Sequence, residues 1–343
     1  MDEIISTYFH KCDSTFSYNL SLLCSSMLRT GSSNTSMLAA AMGHDTKESF
    51  KANSMRLYRL LKCQEFQIDD KLWRCHINLV FDALKERNLI KKGSSILIKV
   101  DYTSSTDDFL ILTASIDFNG RSIPLFFSMR RYPKRKGMMD QKKMEAAFIR
   151  SLKHILSKHY SYVIVADRGF GLQRFAALCA DNDFGYVIRM NNSLGLVVDN
   201  NRCNLEDYAG SNFDISAHVR PWKELHRFVG CVKDQESWII ITNLTHPQET
   251  IINLYKQRFG IEKCFQDQKS SGFNIEASKI RKYDRLKRLL FGVCVAQVLT
   301  VILGEFLVAK NHRIKKKSLL NIDVISAYSS LDNELYSPFL KCA

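Results

Sequence analysis

The 343-residue sequence predicts a mixed α/β fold, preceded by a helical segment and interrupted by a β-rich insertion. Three observations lead there. Residues 1–90 carry apolar positions at helical spacing and no convincing strand run. Three apolar runs then follow in close succession, with Asn119-Gly120, a strong two-residue hairpin turn, between the second and third. Beyond them, helical and strand-like stretches alternate, which excludes an all-helical or all-β chain.

Within the first segment, Ser14 to Met27, Thr46 to Cys63 and Asp69 to Lys85 each read as a helix. Arg56, Arg59 and Lys62 recur at i, i+3 and i+6, so they share a side of the second helix. That side suits a helix contacting DNA, and equally an ordinary amphipathic surface helix. Lys91-Lys92-Gly93-Ser94-Ser95 is the boundary signal. The strand runs are Ile96 to Val100, Phe109 to Phe118 and Ser122 to Met129. A helix from Gln141 to Lys158, a buried-type strand from Tyr162 to Ala166, a helix from Leu172 to Cys179 and a strand from Tyr186 to Ile188 complete the series. The order βββ-αβ-αβ is that of a ribonuclease H-like mixed sheet rather than a pure βαβ repeat. Residues 190–245 break the alternation with short strand-like pieces: Leu196 to Val198, Phe213 to Val219, Phe228 to Val232 and Trp238 to Ile241. A helix is expected from near Glu249 through Lys269, then a long apolar helix after Lys279. The run Leu289 to Leu307 approaches the length of a membrane span, but it carries Gln297 and Glu305 and reads as a buried core helix.

Charge narrows the partner. The chain carries 49 Lys and Arg against 35 Asp and Glu, a net +14. The excess is concentrated: residues 121–160 alone hold +9. A local patch of that size suits phosphate binding, nucleic acid first and an anionic membrane surface second, although solvated basic faces give the same composition. Within it, Arg130, Arg131, Tyr132, Lys134, Arg135 and Lys136 form a basic loop with an embedded aromatic, a candidate for DNA-backbone contact. No two of the ten cysteines lie closer than 12 positions, so a structural zinc site is not expected and the thiols read as free in a reducing cytosol. No GxxxxGK[ST] loop is present, so ATP use is not expected. The start Met1-Asp2-Glu3 does not suit a signal peptide.

Three carboxylates carry the candidate chemistry. Asp101 follows the first strand and Asp167 follows the fourth, in Asp167-Arg168-Gly169-Phe170. Two acids at one sheet edge repel unless a cation sits between them, and paired divalent ions are the known solution for phosphoryl transfer. Such a pair alone is weak evidence, because an Asp after an apolar strand is more often a turn or helix-cap residue. The third, Glu262, shares a stripe with Tyr255, Arg258 and Lys269 at spacings of 3, 4 and 7, placing an aromatic, two cations and an acid on one helix face. That stripe makes a poor core face and a good phosphate-handling one.

These motifs resemble the DDE transposases of bacterial insertion sequences, specifically the group known as the "insertion sequence four" family, marked by Y-x2-R-x3-E-x6-K. Here the pattern is complete as Tyr255, Arg258, Glu262 and Lys269, downstream of Asp101-Tyr102-Thr103 and Asp167-Arg168-Gly169-Phe170. Phe259 stands where relatives often carry Trp. The resemblance covers about residues 95–310. It implies Asp101, Asp167 and Glu262 as catalytic residues holding two Mg²⁺ ions, with Mn²⁺ as a substitute. It also implies Trp238 as an aromatic that helps hold a flipped base, with strand packing as the other reading of that residue. The expected domains are a helical DNA-binding domain over 1–93, a catalytic core over 94–190 and 246–310, a β-rich insertion over 191–245 and a basic tail over 311–343. The implied activity is metal-dependent cleavage of transposon ends, via a hairpin, and strand transfer into target DNA. The partners would be double-stranded DNA and a second copy in a synaptic homodimer, without membrane or ATP, in the bacterial cytoplasm at the nucleoid. A nuclease or resolvase without strand transfer, and an inactive transposase-derived DNA-binding protein, are the alternatives.

Overall fold

The computed structural model describes residues 1–10, 12–64, 66–105, 108–132, 141–171, 173–191, 194–219, 225–233, 235–269 and 272–310, with side chains as far as Glu305. Lys134, Arg135, Lys136 and the tail over 311–343 lie outside the described residues.

The N-terminal segment is helical: α1 (Asp2–Phe9), α2 (Ser14–Thr30), α3 (Thr35–Thr46), α4 (Phe50–Lys62) and α5 (Asp70–Glu86). Short polar side chains start the last four. Asp13 accepts from the Phe16 amide, Asn34 from Ser36 and Met37, Ser49 from Ala52, and Asp69 from Leu72. The helix expected over Thr46 to Cys63 begins instead at Phe50, and Thr46 is the last residue of α3. Lys47 takes a left-handed φ of 60° that closes α3, and the Ser49 cap opens α4.

The strands are β1 (Ser95–Ser105), β2 (Phe109–Phe118), β3 (Arg121–Arg131), β4 (Ser161–Ala166), β5 (Gly185–Arg189), β6 (Gly195–Val198), β7 (Asn201–Asn204), β8 (Phe213–Val219), β9 (Leu225–Lys233) and β10 (Glu236–Thr242). Among the described residues they form one ten-stranded sheet in the order β3-β2-β1-β4-β5-β10-β9-β8-β6-β7. The first three make an antiparallel meander, and Asn119 and Gly120 turn from β2 to β3 with φ of 49° and 85°. β4 runs parallel to β1, and β5 parallel to β4. The β-rich segment continues this sheet, because β10 pairs antiparallel with β5 from Ile240↔Arg189 to Thr242↔Val187. Helices α6 (Gln141–Ile155) and α7 (Gln173–Asp181) lie between the strands in sequence.

The stretch expected as one helix through Lys269 is broken: α8 (Gln248–Lys256), a 3-10 turn (Gln257–Phe259) and α9 (Gly260–Gln268). Last comes α10 (Tyr283–Lys310). Its Tyr283–Glu305 portion is long and apolar enough to cross a membrane, yet 94% of its most apolar window is buried inside the protein. Its polar residues have partners there. Gln297 accepts from Gln268 at 3.0 Å, and Arg288 donates to the carbonyls of Phe66 and Leu61, each at 2.9 Å. α10 thus joins the N-terminal helices to the sheet. Trp73 of α5 completes the junction, packing edge-on against Phe126, Phe127 and Phe291.

Candidate active site

Side-chain parity places the two aspartates. In a strand, alternate residues face opposite sides of the sheet. Val163 and Val165 of β4 belong to a small apolar cluster with Val187, Trp238, Ile240, Ile251 and Tyr255, with Leu97 of β1 packed against it. Ile164 and Ala166 belong to the main core on the other face. Asp101 and Asp167 continue the first rows, Leu97-Lys99-Asp101 and Val163-Val165-Asp167, so they face α8 and α9. The last β1–β4 pair is Val100↔Ala166, and the two acids are the next residue on each chain. β1 does not end at Asp101, as the sequence suggests; it runs on to Ser105, paired with β2. What ends there is the pairing with β4, so the two acids lie just beyond the carboxyl end of a parallel strand pair, where open α/β sheets commonly place their sites.

The interrupted helix brings the rest. Tyr255 is fully buried and donates its hydroxyl to Asp167 Oδ1 at 3.1 Å. Arg258, also buried, lies between the other two acids: Nη1 donates to Asp101 Oδ2 at 3.1 Å and Nη2 to Glu262 Oε1 at 2.9 Å. One guanidinium therefore touches two of the three carboxylates. Glu262 stands at the mouth, with 58% of its side chain exposed. Lys269 caps α9 half-buried, and its ammonium makes no hydrogen bond or ion pair with the described residues.

Burial dominates the electrostatics. It pushes the Asp101 carboxyl up to about 6, with the neighbouring Asp167 and Glu262 adding to the rise against the Tyr102 amide and Arg258. Burial likewise lifts the Tyr255 phenol to about 12, helped by the charge on Asp167. Desolvation opposes the charge on Arg258, but Asp167, Tyr255, Asp101 and Glu262 outweigh it and raise its pKa.

Three carboxylates form a hard oxygen donor set, suited to Mg²⁺ or Mn²⁺. Asp101 and Asp167 are neighbours as that role requires. Among the described residues, however, no group of three acidic, His or Cys side chains converges to hold an ion. The guanidinium between Asp101 and Glu262 occupies that space. The donor chemistry suits a divalent cation, while Asp101 and Glu262 are each bonded to Arg258.

Trp238 lies on the same sheet face, 5% exposed, edge-on to Tyr255 with ring centroids 5.1 Å apart. Arg189 and Lys233 sit over its ring at 5.9 and 5.4 Å. Phe259, 43% exposed, extends this aromatic cluster to the surface. Arg130 and Arg131 end β3, away from the triad in sequence. Arg59 of α4 is exposed, and Arg56 is paired with Glu48 at 2.6 Å. Sequence reasoning missed the supports beneath the site. The Tyr102 ring stacks on Phe170 at 4.9 Å, and its hydroxyl meets Glu145, a buried acid also held by Arg174 at 2.6 Å. Lys99, 1% exposed, pairs with Asp117 directly under Gly260. Lys99 could have been noticed as the one charge in an apolar strand run; Glu145 gave no such signal.

Residues 140–299 match the family model of the transposase DDE domain. The match supports a DDE transposase. It spans Asp167, Trp238 and the whole Tyr255-to-Lys269 stretch and leaves Asp101 outside it. No curated protein matches the chain.

Proposed function

We propose that the protein is a transposase of the Y-x2-R-x3-E-x6-K group, cutting transposon ends and joining them to target DNA. The observation that carries this reading is Arg258 bonding to both Glu262, four residues away, and Asp101, 157 residues away in the chain. The strand order β3-β2-β1-β4-β5, with β4 and β5 parallel to β1, supports a ribonuclease H-like core beneath it.

Asp101, Asp167 and Glu262 would hold two divalent ions, which when bound activate the attacking oxygen and steady the leaving one. The protein's own groups do the rest. Tyr255 fixes the rotamer of Asp167 by its hydroxyl bond. Arg258 offsets the charge of Asp101 and Glu262, and its planar fork is suited to a phosphate oxygen of the DNA. Lys269 supplies a further cation from the end of α9. Phe259, exposed at the surface with Trp238 buried behind it, offers an aromatic face able to stack an extruded base in a hairpin route; Trp238 backs that face and does not itself meet the base in this conformation. Assembly as a homodimer on two transposon ends completes the proposal.

Glu262→Gln tests it. The amide oxygen still accepts from Arg258, so the fold is kept and a metal ligand is lost. The variant should bind end DNA as the wild type does and show no strand cleavage with Mg²⁺. Cleavage at the wild-type rate would refute the assignment of Glu262. Joining of a pre-cleaved end by the wild type separates a transposase from a nuclease or resolvase.

A further inference from the structure

A groove of about 510 Å³ lies on the side of α4 away from Arg56 and Arg59, between that helix and the segment leading into α10. Phe50 and Tyr58 line it from α4, and Lys279, Arg281, Lys282 and Arg285 line it from the far side. Thr35 and Ser36, at the start of α3, also line it. Four cations line this groove and no acid does; the nearby Glu276 and Asp284 are not among its lining residues. Lys279, Arg281 and Lys282 are exposed, and none of the four cations pairs with a carboxylate among the described residues. By contrast, the larger groove lined by Arg56 and Arg59 is also lined by Asp13, Glu48 and Asp69, which offset its cations.

Arg285 is held ready. Its guanidinium lies over the Tyr58 ring at 4.8 Å and donates to the Tyr58 hydroxyl at 3.3 Å. Stacking fixes the plane of the fork and leaves its other N–H groups for an oxygen acceptor. The cationic surface also continues toward the sheet. Tyr283 donates to the Met129 carbonyl at 2.5 Å and packs against Phe109 at 6.1 Å. Met129 immediately precedes Arg130 and Arg131, and Arg131 lies over the same Phe109 ring at 5.7 Å.

We infer that this groove, extended by Arg130 and Arg131, grips the phosphate backbone of double-stranded DNA without reading its sequence. The choice of DNA rests on the transposase reading; the groove itself specifies a run of phosphodiesters. Such contacts orient the duplex, and specificity has to come from elsewhere. The tyrosine and arginine act as a clamp, and the three exposed cations neutralise successive phosphates.

The test measures fluorescence anisotropy of a labelled 30-base-pair duplex against full-length protein, in EDTA so that binding is read without cleavage, across a NaCl series. Replacing Lys279, Arg281, Lys282 and Arg285 by Gln should weaken binding at least 100-fold near 0.1 M salt. It should also cut the slope of log K against log salt by about 3, from roughly 0.9 per phosphate contact. The triple Gln variant that keeps Arg285, the half-buried member, should cut the slope by about 2 to 3, which guards against a folding defect. A control removing Arg87, Lys91, Lys92 and Lys158 takes away the same charge at the opposite end of β1 and β4, and should leave the slope nearly unchanged. If the control lowers the slope as much as the groove variant, net charge is the cause and the inference fails. If the wild type binds duplex and the groove variant keeps its slope, the groove inference falls while the transposase reading stands. If the wild type binds no duplex, both fall together. Groove-dependent binding of an RNA hairpin or anionic vesicles in preference to duplex would overturn the DNA assignment.

Discussion

Arg258 shows how a single side chain sets the state of the pocket. Its two amino groups donate to Asp101 and Glu262, so its charge offsets part of the repulsion among the acids. The motif spacing made Arg258 visible in the sequence, but as a phosphate ligand; its contact with Asp101 depends on a strand and a helix turn meeting in space. His76 illustrates a residue that patterning could not flag. It is fully buried on α5, meets the Pro124 carbonyl at 2.9 Å, and burial holds its pKa down to about 4. The unfolded chain takes up a proton near pH 6.5 that the folded chain refuses until about 4. Stability contributed by neutral His76 is therefore complete above 6.5 and is lost as pH falls through that window, by about 3 kcal/mol in total. Asp267, raised to about 6 by burial, acts in the opposite sense between its two pKa values. The comparison must therefore be made against His76→Gln, which keeps a donor and removes the titration. Urea unfolding at pH 7 and pH 4.5 should show the wild type losing about 2 kcal/mol more than the variant.

At the scale of elements, the break between α8 and α9 aims the site. An unbroken helix would keep Tyr255, Arg258 and Glu262 on one stripe, which is what their spacing suggests; the 3-10 turn at Gln257–Phe259 instead adjusts Arg258 to reach between the acids. Gly260, at the start of α9, is what allows the helix to sit so low. A Cβ there would stand 2.4 Å from the Lys99 ammonium and 3.3 Å from Asp117 Oδ1. Lys99 is buried and ion-paired, so it yields only by loosening that pair. Gly260→Ala should destabilise the protein by about 1–3 kcal/mol. In a Lys99→Met background, where Asp117 remains partly solvated, the added cost should shrink to under about 1 kcal/mol, a coupling that thermal unfolding of the four proteins would reveal. Equal costs in both backgrounds would place the strain elsewhere. β1 to β5 were legible because each is a short apolar run bounded by turn residues. α1 and α3 were not: the first is a short terminal helix, and the second carries its buried residues with almost no sidedness.

Across the whole molecule, α10 ties the N-terminal helices to the sheet, and Arg288 is its fastening. The side chain is 8% exposed and gives its N–H groups to Leu61 at the end of α4 and to Phe66 just beyond it. A cation at a helix C-terminus also complements the carbonyl dipoles there. Arg288→Met would leave two carbonyls without donors, at a cost of about 2–4 kcal/mol. Hydrogen exchange should then accelerate across residues 35–62 well before it does in β1, β4 and β5. A uniform acceleration would mean that helices and sheet open as one unit. The groove between α4 and the start of α10 depends on the same fastening, which links the stability of this junction to the phosphate-binding surface inferred above.

The sequence by itself determined the α/β class, the first five strands and the hairpin at Asn119-Gly120, because each is written in local spacing: period two in strands, three to four in helices, with turn residues between them; the fixed gaps of the Tyr255-to-Lys269 motif nominated the triad as a candidate. Tertiary structure alone decided that the β-rich segment extends the same sheet, that Trp238 is buried against Tyr255, that Arg258 fills the space among the acids, and that the cations after Ser278 face α4. Those outcomes depend on which distant surfaces come together, and that is fixed by burial of apolar faces across the whole chain rather than by any run of neighbouring residues.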